Sequence, residues 1–286
     1  MRVTGIDLYS DSAATPIELS LRDPSSQQPY LVKGLFGLDA EEIMPRFYGV
    51  SAASGERFHD LSMGARTVVI RLGLNPTFGP RQGVSDLRDD IYRLIGSSRT
   101  GLVTLALKNE RGRVAQISGF VTKLEAPLFS KTPEVQMSIR CEDPTLRGSD
   151  EVSVENFVFD DTTVVIQDPE STAPHGFEVT MTIPEAATYL LVASGYNQGH
   201  TWEFELTPNV GFQANDVVYL NSNVGYRKVE VTRGVTKLNI ADGIRHSSIW
   251  PLMTPGYNSF SFVTDAAGDN IPTITEFKFY PTFWGV

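Results

Sequence analysis

Apolar residues recur at every second position in one stretch of this chain after another. Val68, Ile70, Leu72 and Leu74 alternate with Val69, Arg71 and Gly73, and Val135, Met137, Ile139 and Cys141 alternate with Gln136, Ser138, Arg140 and Glu142. Trp202, Phe204 and Leu206 alternate with Glu203 and Glu205, and Phe277 and Phe279 with Glu276 and Lys278. A strand sends successive side chains to opposite faces, so each run predicts a β-strand with one face in a core and the other in water. The 24 glycines and 17 prolines among 286 residues supply the turns that many strands need. Cys141, the only cysteine, falls on the apolar side of its run and reads as a small buried hydrophobe.

One segment breaks the rhythm. In VSDLRDDIYRLIGSS, Val84, Leu87, Ile91, Leu94 and Ile95 share a helical face, with Gly83 or Ser85 to start the helix and Gly96 to stop it. A single substantial helix among many strands predicts a mainly β protein with that helix packed on a sheet. The uncharged stretch WPLMTPGYNSFSF (250–262) raises a choice between an aromatic binding loop and a turn into a buried strand. Pro255 presets the φ of one turn position and Gly256 accepts the positive φ of a type II turn at the next, so the expectation is a turn. Phe260 and Phe262 then face the interior of a strand.

Charge divides the chain. Residues 1–149 carry 18 basic and 17 acidic side chains, and residues 150–286 carry 6 and 17. The break follows CEDPTLRGSDE, where Asp-Pro and Arg-Gly-Ser also close a run of strands. Two domains, 1–148 and 149–286, are expected. The acidic second half disfavours nucleic-acid binding there, because phosphates are repelled. No run approaches the roughly 20 apolar residues of a membrane helix. The start, MRVTGIDLYSDS, lacks the apolar core of a secretory signal, and one cysteine allows no internal disulfide, so folding in cytoplasm is expected.

Catalytic motifs are missing from the sequence: there is no Gly-x-Ser-x-Gly elbow, no phosphate loop and no Gly-x-Gly-x-x-Gly. His59, His175, His200 and His246 are scattered without metal-ligand spacing. DAAGDN (265–270) lacks the distal ligands of a calcium loop and reads as a hairpin turn, as do Asp160 and Asp161 in DDTT. No pair of carboxylates is marked for glycoside cleavage. The expectation is no enzyme, no cofactor and no metal. Trp202, Trp250 and Trp284 all lie in the second half and, with Tyr196, Tyr219, Tyr226 and Tyr257, offer the aromatics of a sugar-binding face, the alternative being a sandwich core.

The order of motifs is more specific than any one of them. YLVKGLFGLDA precedes a glycine-centred segment at Gly55, then GARTVVIRLGLNP, the helix, and TGLVTLAL. The half closes with ISGFVTKLEAPLFSKTPEVQMSIRCEDPTLRG, and the second half holds NDVVYLNSNVGYRKVEVTRG, SSIWPLMTPGYNSFSF and the terminal FKFYPTFWGV. In this order the chain resembles the distal tail protein family of long-tailed, siphovirus-type bacteriophages, departing from it at AEEIMPRFYGVSAAS (40–54).

The resemblance implies a mainly β fold of two β-sandwich domains. The first is tail-tube-like, ring-forming and flanked by one α-helix; the second is a galectin-like jelly roll. It implies a structural component of the tail tip: a hexameric ring joining the tail tube to the tip complex, with a central channel through which DNA passes. The implied partners are the tail tube protein, the tail-tip hub and tape-measure proteins, and receptor-binding or fibre proteins on the outer domain. The implied place is the distal end of the virion tail. The first half holds 14 arginines against 4 lysines, and arginine makes bidentate contacts suited to interfaces. Arg66, Arg71, Arg140 and Arg147, on outward faces or ends of predicted strands, are the expected subunit contacts. An acidic channel wall is expected, because it lets DNA slide without sticking. The rivals are a lectin acting through the second half and a glycan-cleaving enzyme.

Overall fold

The computed structural model describes residues 3–10, 17–21, 28–39, 43–49, 56–76, 83–97, 102–110, 112–127, 132–154, 159–160, 163–195, 201–266 and 271–285. Two compact units emerge, Met1–Ser149 together with Phe283–Val286, and Asp150–Thr282. The last four residues therefore leave the second domain expected from the sequence: Phe283 packs on the core of the first unit.

The first unit runs β1 (Val3–Ser10), β2 (Ile17–Leu21), β3 (Tyr30–Phe36), β4 (Ile43–Gly49), β5 (Glu56–Met63), β6 (Arg66–Leu74), α1 (Val84–Ser97), β7 (Leu102–Asn109), β8 (Val114–Glu125), β9 (Glu134–Cys141) and β10 (Leu146–Gly148). Hydrogen bonding links β10-β8-β7-β1-β2-β3-β6-β9, and β9 pairs again with β8. The expected sandwich is thus closed on itself: β7, β1, β2, β3, β6, β9 and β8 form a circuit without a free edge. Its thin seam is the parallel β2–β3 pairing of two residue pairs, Ser20–Leu31 and Leu21–Val32.

Inside the circuit the core is aliphatic. Val68, Ile70 and Leu72 of β6 meet Leu105, Leu107, Met137, Ile139 and Cys141 in one buried cluster. Burying each large side chain stabilises by about 1.5–3 kcal/mol before entropy is counted. Helix α1 contributes Leu87, Ile91 and Leu94 to the same cluster, with Val84 and Ile95 at its margin. Gly83 caps it: its carbonyl accepts the N–H of Leu87, and its own N–H donates to the Asp86 carboxylate at 2.7 Å. The helix continues through Gly96, the expected stop, to Ser97. Tyr30 of β3 donates its hydroxyl to the Leu87 carbonyl at 3.2 Å and so fixes the helix against the sheet.

The second unit comprises β11 (Val152–Val154), β12 (Phe159–Asp160), β13 (Thr163–Asp168), β14 (Glu178–Thr182), β15 (Leu190–Gly195), β16 (Thr201–Leu206), β17 (Val217–Asn221), β18 (Lys228–Arg233), β19 (Thr236–Asn239), β20 (Gly256–Thr264) and β21 (Thr273–Phe279). A last short strand, β22 (Thr282–Phe283), adds to the first unit's sheet beside β10. One sheet is ordered β11-β21-β14-β17-β18-β19 and the other β12-β13-β20-β15-β16. Their inner faces share one core. Phe260 of β20 meets Phe277 of β21 in the opposite sheet, ring centroids 5.8 Å apart, and Phe177 lies 5.1 Å from Phe260 and 4.6 Å from Phe277.

The turn into β20 follows the sequence expectation. Gly256 has φ +96°, the left-handed value that position requires, and Phe260 and Phe262 behind it are fully buried.

Candidate functional site

Of the four arginines expected on outward faces or ends of strands, Arg66 does stand at the start of β6, but its side chain turns inward. It is fully buried, because it shares strand parity with Val68, Ile70 and Leu72 and so points inward. Its guanidinium donates to the Trp284 carbonyl at 2.6 Å and makes a long 3.5 Å contact with the Leu38 carbonyl. Gly37 makes the second contact reachable: at φ +81° the chain folds over β6 so closely that a Cβ would stand 2.1 Å from the Thr67 carbonyl oxygen. Arg66 therefore fastens the C-terminal residues to the first unit from within. Opposite it, burial pushes the Cys141 thiol up to about 11, which leaves it inert.

The other three arginines are exposed, and the register brings them to one sheet surface. Arg71 on β6 faces Gln136 on β9, which faces Glu125 on β8. Arg71 Nε donates to Gln136 Oε1 at 2.8 Å, and Gln136 Nε2 donates to Glu125 at 3.3 Å. The Arg71 guanidinium also stands 5.6 Å from the ring centroid of Phe36, an aromatic that is 53% exposed. Arg140 lies between Thr67 and Phe120, itself 37% exposed, and Arg147 of β10 pairs with Gln116, four residues before Phe120 on β8. Two exposed aromatics thus share a surface with arginines, and aromatics and arginine are residue types enriched at protein interfaces.

A second feature was not expected from the sequence. Strands β4 and β5 pair with each other and, among the described residues, with no other strand. They form an excursion between neighbours, since β3 and β6 pair directly at Phe36 and Val69. A lone two-stranded hairpin is marginal in water. The sequence signal was weak, because residues 40–54 show no clean alternation.

In the second unit the buried charges are paired. His175 places Nδ1 2.8 Å from the Gly176 carbonyl and Nε2 2.8 Å from Asp168 Oδ2. The Gly176 carbonyl only accepts, so the proton on Nδ1 points to it. Burial alone raises the Asp168 carboxyl pKa, but hydrogen bonds from His175 and Ser171 outweigh it and hold the group below its usual range. Asp216 is lowered in the same way: burial opposes, while Arg233 and the Gln213 N–H prevail. Arg233 grips it bidentately at 3.0 and 2.7 Å.

Neither pair lines up as a reaction centre. His175 stacks on Phe279 at 5.3 Å inside the fold, and among the described residues no group of three His, Cys, Asp or Glu is placed to hold a metal ion. The side chains of His59 and Asp160, together with His200, Asp161 and the tip of DAAGDN, lie outside the described residues. Among those described, no helix is long and apolar enough to cross a membrane.

Trp202 and Trp250 both lie along β16, since the Ile249 N–H donates to the Glu203 carbonyl between Trp202 and Phe204. Trp202 packs on Phe260 at 5.8 Å, Trp250 packs on Phe204 at 5.0 Å, and Trp284 belongs to the first unit. Tyr219 and Tyr257 stand in different sheets, and Tyr196 lies outside the described residues. The Tyr219 hydroxyl donates to Glu178 at 2.8 Å, and burial followed by that carboxylate pushes its pKa up to about 12.

No protein-family model matches the chain, and no curated protein sequence does. Solved structures do. One is the SPP1 Dit (gp 19.1) protein, described as a paradigm of the hub adsorption apparatus in phages infecting Gram-positive bacteria. It aligns with TM-score 0.61 over 97% of this chain and 99% of its own, at 14% identity. Another is a chain of the phage P2 baseplate in its activated conformation with Ca, with TM-score 0.50, 10% identity and 99% of both chains covered. At such identities the likeness is one of fold, and it runs through both units.

Proposed function

We propose that this chain is a structural component of a phage tail tip, a distal tail protein whose first unit closes with its own copies into a hexameric ring. The ring joins the tail tube to the tip complex, and DNA passes through its centre. Its neighbours are the tube protein, the hub and tape-measure proteins, and receptor-binding or fibre proteins carried on the second, galectin-like unit. The chain has no catalytic task; it is made in the host cytoplasm and resides at the distal end of the virion tail.

The observation that carries this reading is the end-to-end likeness to a hub adsorption protein, in which both units are matched in one order. The β4–β5 hairpin, which among the described residues pairs with no other strand, supports it as a place for a neighbouring copy to add strands. So does the surface carrying Arg71, Arg140, Arg147, Phe36 and Phe120, which becomes the first choice for subunit contacts; Arg66 acts inside the protomer instead. The pore wall is expected to be acidic, and a ring lined with arginines would refute that part.

Sedimentation velocity is the direct test. A stable species of six protomers, each of 31.5 kDa, supports the ring. A monomer that gives glycan-array signal supports the lectin instead. Hydrolysis of a polysaccharide that is lost on changing a single carboxylate supports the enzyme.

A further inference from the structure

The second unit holds six lysines and arginines against 17 acidic residues. Four of the six are answered by carboxylates: Lys228 by Glu230, Arg233 by Asp216, Arg245 by Glu205, and Lys278 by Glu151 and Glu276. Lys237 on the edge strand β19 has no such partner among the described residues, and no ring lies beneath it. Arg227 is held in another way. It is exposed just past the β17–β18 turn, and its guanidinium carbon stands 5.5 Å from the ring centroid of Trp250. Trp250 is itself fixed on the core through Phe204, so the cation rests on an anchored aromatic. Among the described residues Arg227 has no carboxylate partner. A guanidinium placed on a ring keeps its N–H donors available for a planar anion and loses little entropy when it binds one.

Exposed apolar residues flank both members of this pair in the sequence. Val224 is 62% exposed, Tyr226 69% and Ile249 59%. The Tyr226 N–H donates to the Asn223 carbonyl at 3.0 Å, closing the turn, and the Ile249 N–H donates to the Glu203 carbonyl of edge strand β16 at 3.0 Å. Both segments are therefore tied to the sheets. Tyrosine, tryptophan and arginine are the residue types that dominate binding energy at protein interfaces.

We propose that the patch formed by Val224, Tyr226, Arg227, Ile249 and Trp250 docks a partner protein that presents a carboxylate beside an apolar side chain. The carboxylate takes the Arg227 donors, and the apolar group covers Tyr226 and its neighbours. Charge selects this occupant: an acidic segment is repelled by most of this unit's surface and finds here an unanswered cation on an apolar bed. The inference rests on the reading of the second unit as a platform for further tail proteins and adds where, and with what chemistry, a partner is held.

The test pans a random peptide library on the full-length protein and subtracts binders of an Arg227→Ala, Tyr226→Ala double variant. Enriched sequences should carry Asp or Glu within one or two positions of an aromatic or leucine. A synthetic copy of one should bind the variant about tenfold more weakly or worse, with Arg227→Lys intermediate. Thermal unfolding unchanged in the variants excludes a folding defect. No enrichment, peptides without an acid, or equal binding to the variant would overturn the proposal. A glycan-array signal, or concentration-dependent self-association, that disappears in the variant would reassign the patch to a saccharide or a second copy and overturn it too. Ring assembly of the variant, followed in parallel, separates failure of this docking site from failure of the tail-tip reading.

Discussion

The first unit buries a cation among carbonyls, whereas the second buries carboxylates among cations and N–H groups. Arg66 is enclosed in an aliphatic circuit and fastens the chain's end through the Trp284 carbonyl. Asp168 and Asp216 sit in a phenylalanine-rich sandwich and accept from His175, Ser171, Arg233 and Gln213. In the first unit the carboxylates that form ion pairs, such as Glu134 with Lys33 and Asp7 with Lys108, do so at or near the solvent. Two β units in one polypeptide thus depend on different kinds of contact, and each has its own point of failure.

The largest effect should come from the aromatic core. Phe260→Ala removes a fully buried ring in contact with Phe177, Trp202, Phe262 and Phe277, and is expected to cost the second unit about 3–5 kcal/mol. Calorimetry should show one transition falling and the other unmoved; equal shifts in both would mean that the units do not unfold separately. Arg66→Met comes next. It removes the guanidinium's hydrogen bond to the part-buried Trp284 carbonyl and should cost the first unit about 1–3 kcal/mol, with faster proteolysis of the C-terminal residues.

Acid sharpens the contrast further. A carboxylate with a depressed folded pKa contributes stability above its unfolded value, 3.8 for aspartate, and that contribution disappears as pH falls through the folded pKa. Urea unfolding at successively lower pH below about 4 should therefore weaken the second unit. Asp216→Asn should flatten its acid response, and an unchanged slope would count against the Arg233 pairing. The smallest effect is Arg71→Met, within about 0.5 kcal/mol of wild type in the isolated protomer, because its contacts are exposed. If that variant instead loses assembly, the arginine belongs to the interface.

Local rules made part of this legible in the sequence. Helix α1 and its buried residues follow from 3.6-residue spacing, and the Gly256 turn from the φ that Pro255-Gly256 permits. The inward direction of Arg66 was also readable, two positions before Val68, but its place at a strand start after Gly64 suggested an exposed end. Pairings between distant segments were not readable. The β8–β9 contact that closes the circuit, the return of Phe283 to the first unit and the seating of Arg227 on Trp250 join segments with no shared local pattern. The β4–β5 hairpin leaves no clean signal, because its alternation is interrupted around the bulge between Arg46 and Phe47.

The proposed ring engages the hairpin, which among the described residues pairs with no other strand, beside the surface carrying Arg71, Arg140 and Arg147. That engagement is tested most directly by electron micrographs of the full-length protein beside a version in which residues 43–63 are replaced by a short glycine–serine linker. Six-fold rings with a central hole are expected for the first, and dispersed molecules with both thermal transitions intact for the second. Dispersed molecules in both, or rings indifferent to the excision, would contradict it.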